Sequence, residues 1–227
     1  DAVSRVMHQS VVPCALEFMD HRAIDAIRPT GTADDLPPGT RALLMVEADG
    51  AVEDLPRQIA ALKQALGGAG LLEIRSGFER DAIAQLWAAR KSLSNAVKQI
   101  APLKINEDVV VPVSQLADFV DFIDHTAHAQ NLAVVSFGHA GNGNLHVNLM
   151  VHPDDADEME RARLAHEAIL LRVLALGGTL SGEHGIGTEK RRFVPLEIEP
   201  ATLAIMRSIK QQFDPHGLLN PGKLFPD

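Results

Sequence analysis

The chain of 227 residues carries a formal net charge of −9 and contains 46% hydrophobic and 22% charged residues. This composition is typical of a soluble globular protein, and the length suits one large domain or two small ones. The acidic balance, without a basic stripe, argues against nucleic-acid binding. No run of about 18 uncharged apolar residues occurs, so we expect no transmembrane helix. The single cysteine, Cys14, cannot form an internal disulfide, which favours a reducing compartment and predicts a cytoplasmic protein.

In the first half of the chain, hydrophobic spacing and glycine or proline breaks predict alternating helices and strands. Residues 14–27 have helical spacing, and residues 29–40 are rich in Pro, Gly and Asp and predict a loop. The elements expected next are a strand at 41–49, a helix at 52–70 that starts at or just before Pro56, a strand at 71–76 and a long helix at 78–100.

The second half predicts the order strand, helix, strand, strand, helix, strand, which is the split βαβ arrangement of a ferredoxin-like unit. Its strands are expected at 106–113, 132–138, 145–151 and 179–185, and its helices at 114–131, capped by Ser114, and 154–178. A helix and a Pro/Gly-punctuated segment follow at 200–227. We therefore predict an α+β, ferredoxin-like fold, with one large, mainly antiparallel sheet and helices packed mainly on one face.

The stretch GHAGNGNLHVN (138–148) puts two histidines on either side of a short, glycine-rich turn. If the flanking strands form a hairpin, opposed residues have Cβ atoms about 4.5–5.5 Å apart. His139 and His146 could then share one metal ion. Asn148, two residues after His146, would lie on the same face of the strand.

A second glycine-rich stretch, SGEHGIG (181–187), adds Glu183 and His184 on the last expected strand. Two histidines and a glutamate form a known zinc-ligand set that leaves one coordination position open for substrate or water. The pattern therefore favours a catalytic metal site over isolated surface histidines. A dinucleotide-binding loop is rejected, because a strand and not a helix follows GNGNLH.

Candidate substrate-binding side chains lie on the long helix and before the next strand. Arg90 can grip a carboxylate with two parallel hydrogen bonds, and Ser94 shares its helix face at i+4. Lys104 could add a second positive charge. On the sequence alone, the expected role of each of these residues is that of an ordinary solvated side chain.

Three motifs, FGHAGNGNLHVN, SGEHGIGTEKRRF and FDPHGLLNPGKLF, together resemble the C-terminal domain of FAD-linked oxidases of the vanillyl-alcohol oxidase superfamily. The opening VVPCALEFMD is similar to the segment where that domain begins. The likeness is greatest to flavin-dependent D-2-hydroxyacid dehydrogenases, which include D-2-hydroxyglutarate dehydrogenase, D-lactate dehydrogenase and the glycolate oxidase flavin subunit. The resemblance covers essentially the whole chain. It implies that residues 1–227 form a substrate-binding cap domain, with FAD held mainly by an N-terminal domain that this chain lacks.

The resemblance also implies a role for each candidate residue. A divalent ion, expected to be zinc, would bind His139, His146 and Glu183. His184 would act as the general base. The substrate, a small anionic 2-hydroxy acid, would contact Arg90, Ser94, Lys104 and Asn148. Asn220 would lie near the flavin.

Two other functions remain open from the residues alone. A metal-dependent hydrolase could use the same two histidines and glutamate to activate water. A non-catalytic, metal-stabilised interaction domain would instead fill every coordination position. The resemblance favours a dehydrogenase that oxidises a D-2-hydroxy acid to a 2-oxo acid, inactive as this chain alone, and it leaves a homodimer as one assembly to consider.

Overall fold

The computed structural model describes residues 1–226, which form one five-stranded antiparallel sheet and its flanking helices. The strands are β1 (Ala15–Asp20), β2 (Ala42–Glu47), β3 (Leu103–Val110), β4 (Ala133–His139) and β5 (Asn144–Val151). The α-helices are α1 (Ala2–Met7), α2 (His21–Ile27), α3 (Leu55–Leu66), α4 (Arg80–Ala96), α5 (Leu116–Ala129), α6 (Ala156–Ala175), α7 (Val194–Glu197) and α8 (Pro200–Phe213). The order of strands across the sheet is β2-β1-β4-β5-β3.

The second half of the chain has the predicted ferredoxin-like connections. β3 leads through α5 to the β4–β5 hairpin, and α6 follows. The fourth strand of the unit is reduced to a single antiparallel bridge between Val110 and Thr179. β1 and β2 extend the sheet beyond β4. The α+β class and the antiparallel sheet are therefore confirmed.

The two faces of the sheet are covered unequally. The larger core packs β3, β4 and β5 against α5 and α6, with α1 and α3 alongside; its fully buried side chains include Phe119, Leu149 and Ile169. The smaller core on the opposite face packs α2 and α4 over Met19, Val135 and other strand residues. Only part of this second face is covered, and the polar residues described below lie on it.

Three local predictions differ from the structure. Residues 14–27 begin as β1, because this segment pairs with both β2 and β4; the helix starts only after Asp20, whose side chain caps it by accepting from the Ala23 N–H at 2.7 Å. Residues 71–76 form no strand. Ser114 lies in a 3₁₀ turn and does not cap α5 through its side chain.

A fourth difference concerns residues 179–185, which form an irregular loop after the single bridge at Thr179. Glu183 and His184 therefore lie on a loop and not on a strand. Among the described residues, no helix is both long and apolar enough to span a membrane.

Candidate metal centre

Residues from a hairpin and a distant loop form a cluster on the less covered face of the sheet. His139 ends β4, His146 lies near the start of β5, and Glu183 lies on the loop after α6. One possible ligand atom from each lies within 4.8 Å of the others. His146 Nε2 is 3.3 Å from Glu183 Oε1, and His139 Nε2 is 4.0 Å from Glu183 Oε2. These three donors could hold a divalent cation.

The two histidines do not lie directly opposite each other in the β4–β5 hairpin. His146 lies opposite Phe137 on β4 and opposite Asp108 on β3, whereas His139 lies opposite Glu17 on β1. Because residues two apart on a strand share a face, both imidazoles still reach the same side of the sheet. Their ring centroids are 5.8 Å apart.

The turn between the histidines depends on Gly143. A 3₁₀ turn over Ala140–Asn142 ends at this glycine, whose φ is 71°. A Cβ at Gly143 would overlap the Val111 carbonyl oxygen, and the Gly143 carbonyl accepts a 3.0 Å hydrogen bond from the Val111 N–H. The glycine therefore allows the hairpin to close against the chain beyond β3.

His184 lies beside the cluster. Its ring stacks on His146 with centroids 5.3 Å apart and an angle of 24° between the rings. The side chains of Glu183 and His184 are 50% and 52% exposed, whereas that of His146 is 9% exposed. The cluster is thus enclosed on the hairpin side and open on the loop side.

Burial lowers the pKa of His146, because the imidazolium form loses hydration that its acidic neighbours Asp108 and Glu183 only partly replace. The ring is therefore neutral near pH 7 and able to donate a lone pair to a metal ion.

Glu17 is a buried carboxylate that joins the cluster to α4. It accepts a 2.5 Å hydrogen bond from His139 Nδ1 and a 2.8 Å bond from Arg90 Nε. A proton on Nδ1 leaves the lone pair of His139 on Nε2, the nitrogen that faces Glu183. Arg90 also lies over the Phe137 ring, with its Cζ 4.9 Å from the ring centroid.

Asp108 is the second buried carboxylate, and it anchors the loop. Its oxygens accept hydrogen bonds from the backbone N–H groups of Gly182, Glu183 and His184 and from the Asn144 side chain. Burial alone would raise the pKa of Asp108, but these donors outweigh it and hold the pKa at about 2.

The expected substrate residues are not all gathered at the cluster. Arg90 reaches it through Glu17, and Ser94 is exposed one turn further along α4. Lys104 is exposed on β3, opposite Met150 and about 13 Å along the strand from the level of His146.

Asn148 is fully buried, and its amide is engaged within the protein. Its Nδ2 donates to the carbonyls of Val135 and His146, and its Oδ1 accepts from Asn106 at 2.8 Å. Asn106, which is less buried, is the more accessible amide of this pair.

Asn220 lies in the exposed segment after α8, with a φ of 49°. This segment returns to the loop that follows His184, since the Leu224 N–H donates to the Gly187 carbonyl and Arg191 donates to the Gly222 carbonyl.

Sequence reasoning missed Glu17, Asp108 and Asn106. For Glu17 and Asp108 the only signal is an acidic residue within a strand-forming segment, in ALEFMD and NEDVVVP. For Glu17 that signal was hidden, because its segment has helical spacing.

The fold and the cluster define an α+β domain with a candidate metal centre on the open face of its sheet. Two solved structures share this fold: p-cresol methylhydroxylase with substrate bound (TM-score 0.67, 13% identity, covering 94% of this chain and 47% of that chain) and the isoeugenol complex of 4-ethylphenol oxidase from Gulosibacter chungangensis (TM-score 0.62, 15% identity, covering 94% and 48%).

Residues 1–224 match the family described as FAD linked oxidases, C-terminal domain, and the chain belongs to that family. It is 31% identical over 223 residues to the glycolate oxidase subunit GlcD of Bacillus subtilis, covering 98% of this chain and 47% of that protein. It is 27% identical to the probable mitochondrial D-lactate dehydrogenase of Danio rerio, covering 99% and 45%. The chain thus spans about half the length of these relatives.

Proposed function

We propose that this chain is the substrate- and metal-binding domain of an FAD-dependent dehydrogenase that oxidises a D-2-hydroxy acid to a 2-oxo acid. The observation that carries the proposal is the convergence of His139, His146 and Glu183, with His184 beside them and one side open. The names of the relatives, glycolate oxidase and D-lactate dehydrogenase, support a 2-hydroxy acid as the substrate class.

The donor set suits a divalent ion such as zinc. Two imidazole nitrogens and a carboxylate are common zinc ligands, and three protein ligands leave a position for substrate. The arrangement also has the outer partner typical of such sites, because Glu17 accepts from the far nitrogen of His139. A divalent ion bound there would polarise the substrate hydroxyl and lower its pKa.

His184 is the proposed general base. Oxidation of a 2-hydroxy acid removes the hydroxyl proton and transfers a hydride from the α-carbon, and the hydride acceptor would be FAD, held mainly by an N-terminal domain. Histidine is suited to accepting a proton near neutral pH. The His184 ring is half-exposed and stacked on His146, so it borders the space that the hydroxyl would enter.

The substrate carboxylate is assigned to Arg90. This guanidinium is held by Glu17 through Nε, which leaves its terminal nitrogens to donate to an anion. Ser94 and Lys104 would contact the more distant part of the substrate. Asn148 would act on the substrate indirectly, because it accepts from the Asn106 side chain and donates to the carbonyl of His146. Asn220 would face the flavin.

The test uses the full-length protein that carries this chain, with FAD bound, mixed without oxygen with D-lactate, glycolate, D-2-hydroxyglutarate or L-lactate. We expect a D-2-hydroxy acid or glycolate to bleach the flavin absorbance, and chelation of the metal to abolish bleaching until zinc is restored. Bleaching that survives chelation contradicts the metal role. Ester or amide hydrolysis without flavin would identify a hydrolase, and a lower melting temperature as the sole effect of chelation would identify a structural metal.

Glu17→Gln is expected to weaken zinc binding by about 10- to 100-fold, the range usual for partners of metal-binding histidines. The glutamine oxygen can accept from only one of His139 and Arg90, and its amide group then faces the other donor. A competition titration against a chromogenic chelator measures the loss. Glu47→Gln is the matched control, because Glu47, on the neighbouring strand β2, accepts from Trp87 of α4, whereas His139 and Arg90 donate to Glu17. Equal affinities for both variants would show that Glu17 does not orient His139.

A further inference from the structure

The backbone of the loop that carries Glu183 and His184 converges on one oxygen atom. Asp108 Oδ2 accepts from the N–H groups of Gly182, Glu183 and His184 at 2.9, 2.7 and 2.7 Å. The other oxygen, Oδ1, accepts from Asn144 Nδ2 at 2.6 Å. Asp108 is 0% exposed, so water does not compete for these bonds. Hydrogen bonds to an ionised acceptor are about twice as strong as neutral ones.

The anchor is itself fixed to the hairpin. Asp108 lies directly opposite His146 in the β3–β5 pairing, on the same face of the sheet. One strand pair therefore holds both groups: His146, a candidate ligand, lies on β5, and Asp108 lies on β3. Asp108 in turn accepts from the loop that carries Glu183, the third candidate ligand. A sheet is a rigid support, and a site of this kind requires its ligands to stay within about 0.5 Å of the productive geometry.

Gly182 shows how close this approach is. A Cβ at this position would overlap Asn144 Nδ2 and lie 2.7 Å from Asp108 Oδ1. The loop can reach the carboxylate only because residue 182 has no side chain. The side chains of Glu183 and His184 are themselves 50% and 52% exposed.

We propose that Asp108 is a positioning residue, whose carboxylate holds the backbone of residues 182–184 so that Glu183 faces the two histidines and His184 stacks on His146. The inference rests on the proposed function for the roles of Glu183 and His184, and it adds the group that assembles them. In the free protein the loop is then already in place before a metal ion or substrate arrives.

Glu107 provides a matched control. It is a buried carboxylate next to Asp108 on β3, but it faces the opposite side of the sheet, where it pairs with His166 Nε2 at 2.8 Å and Lys190 Nζ at 3.1 Å. Its replacement removes a buried charge of the same strand without touching the three N–H groups.

The experiment compares wild type, Asp108→Asn, Gly182→Ala and Glu107→Gln by hydrogen exchange of peptides covering 180–186 and by zinc titration. Gly182→Ala displaces the loop while leaving the carboxylate intact, so it tests the proposal if Asp108→Asn folds poorly. We expect both site variants to speed exchange at 182–184 and to weaken zinc binding by about ten-fold or more. Glu107→Gln should lower the melting temperature and change neither of these.

Exchange or zinc affinity unchanged from wild type in folded Asp108→Asn and Gly182→Ala would overturn the proposal. If the wild-type protein binds no zinc while the exchange result holds, the metal site of the proposed function fails and the anchoring by Asp108 stands. The two failures are therefore distinguishable.

Discussion

His146→Ala is expected to weaken zinc binding by more than about 100-fold. Structural zinc sites with four protein ligands bind with about 10–16 kcal/mol, so each ligand contributes about 3 kcal/mol, which is more than two powers of ten in affinity. His146 is the most enclosed of the three donors and the one nearest Glu183. In the full-length protein, the rate of flavin reduction by the hydroxy acid should fall together with zinc binding. Competition titration and anaerobic mixing measure the two effects.

His128→Ala controls for the loss of an imidazole in general. His128 is exposed near the end of α5, on the other side of the sheet from the cluster. We expect this variant to bind zinc and to reduce flavin as wild type does. If His146→Ala retained zinc affinity within a few-fold, the cluster would not be a metal centre, and the role of Glu183 would need another explanation.

Gly143→Ala is expected to lower the free energy of unfolding by more than about 3 kcal/mol. A left-handed backbone conformation costs a residue with a Cβ about 1–2 kcal/mol. The new Cβ would in addition overlap the Val111 carbonyl oxygen, a backbone atom that cannot rotate away. Relieving this overlap requires the hairpin to move off the chain beyond β3, which breaks the Gly143–Val111 hydrogen bond. Urea unfolding curves give the change.

Gly177→Ala separates the two contributions. Gly177 has a φ of 76°, close to that of Gly143, but among the described residues no atom outside its immediate chain neighbours lies within 4 Å of its Cβ position. Gly177→Ala should therefore lower the free energy of unfolding only by the cost of the left-handed conformation, about 1–2 kcal/mol. Equal losses in the two variants would mean that the contact with Val111 is relieved at no cost.

The sequence predicted the second half of the fold well, because its helices are long, strongly periodic and separated by clear breaks. It failed at residues 14–27, where apolar spacing suits a helix but pairing with β2 and β4 makes a strand of the first part. Local pattern carries no information on such long-range pairing. The exposed apolar residues Leu71 and Leu72 were read as a strand for the same reason.

For the candidate site, the motifs singled out the histidines and the Glu-His pair, and the structure brings them together. Their supports were not predictable. Glu17 and Asp108 are acidic residues at buried strand positions, and the role of each depends on which N–H groups face it after folding. Lys104 was chosen for its charge, but its strand register puts it far along β3.

The reduction of the fourth strand to one bridge at Thr179 has a consequence for how the cluster can be built. In a regular strand, neighbouring side chains point to opposite faces of the sheet. Glu183 and His184 would then be divided, with one above the sheet and the other below it. By leaving the ladder after a single pair, the chain can turn two consecutive side chains towards the same pair of histidines. Irregular backbone at this edge is thus what allows the proposed ligand, Glu183, and the proposed base, His184, to be adjacent, and a variant redesigned to complete the strand would have to give up one of them.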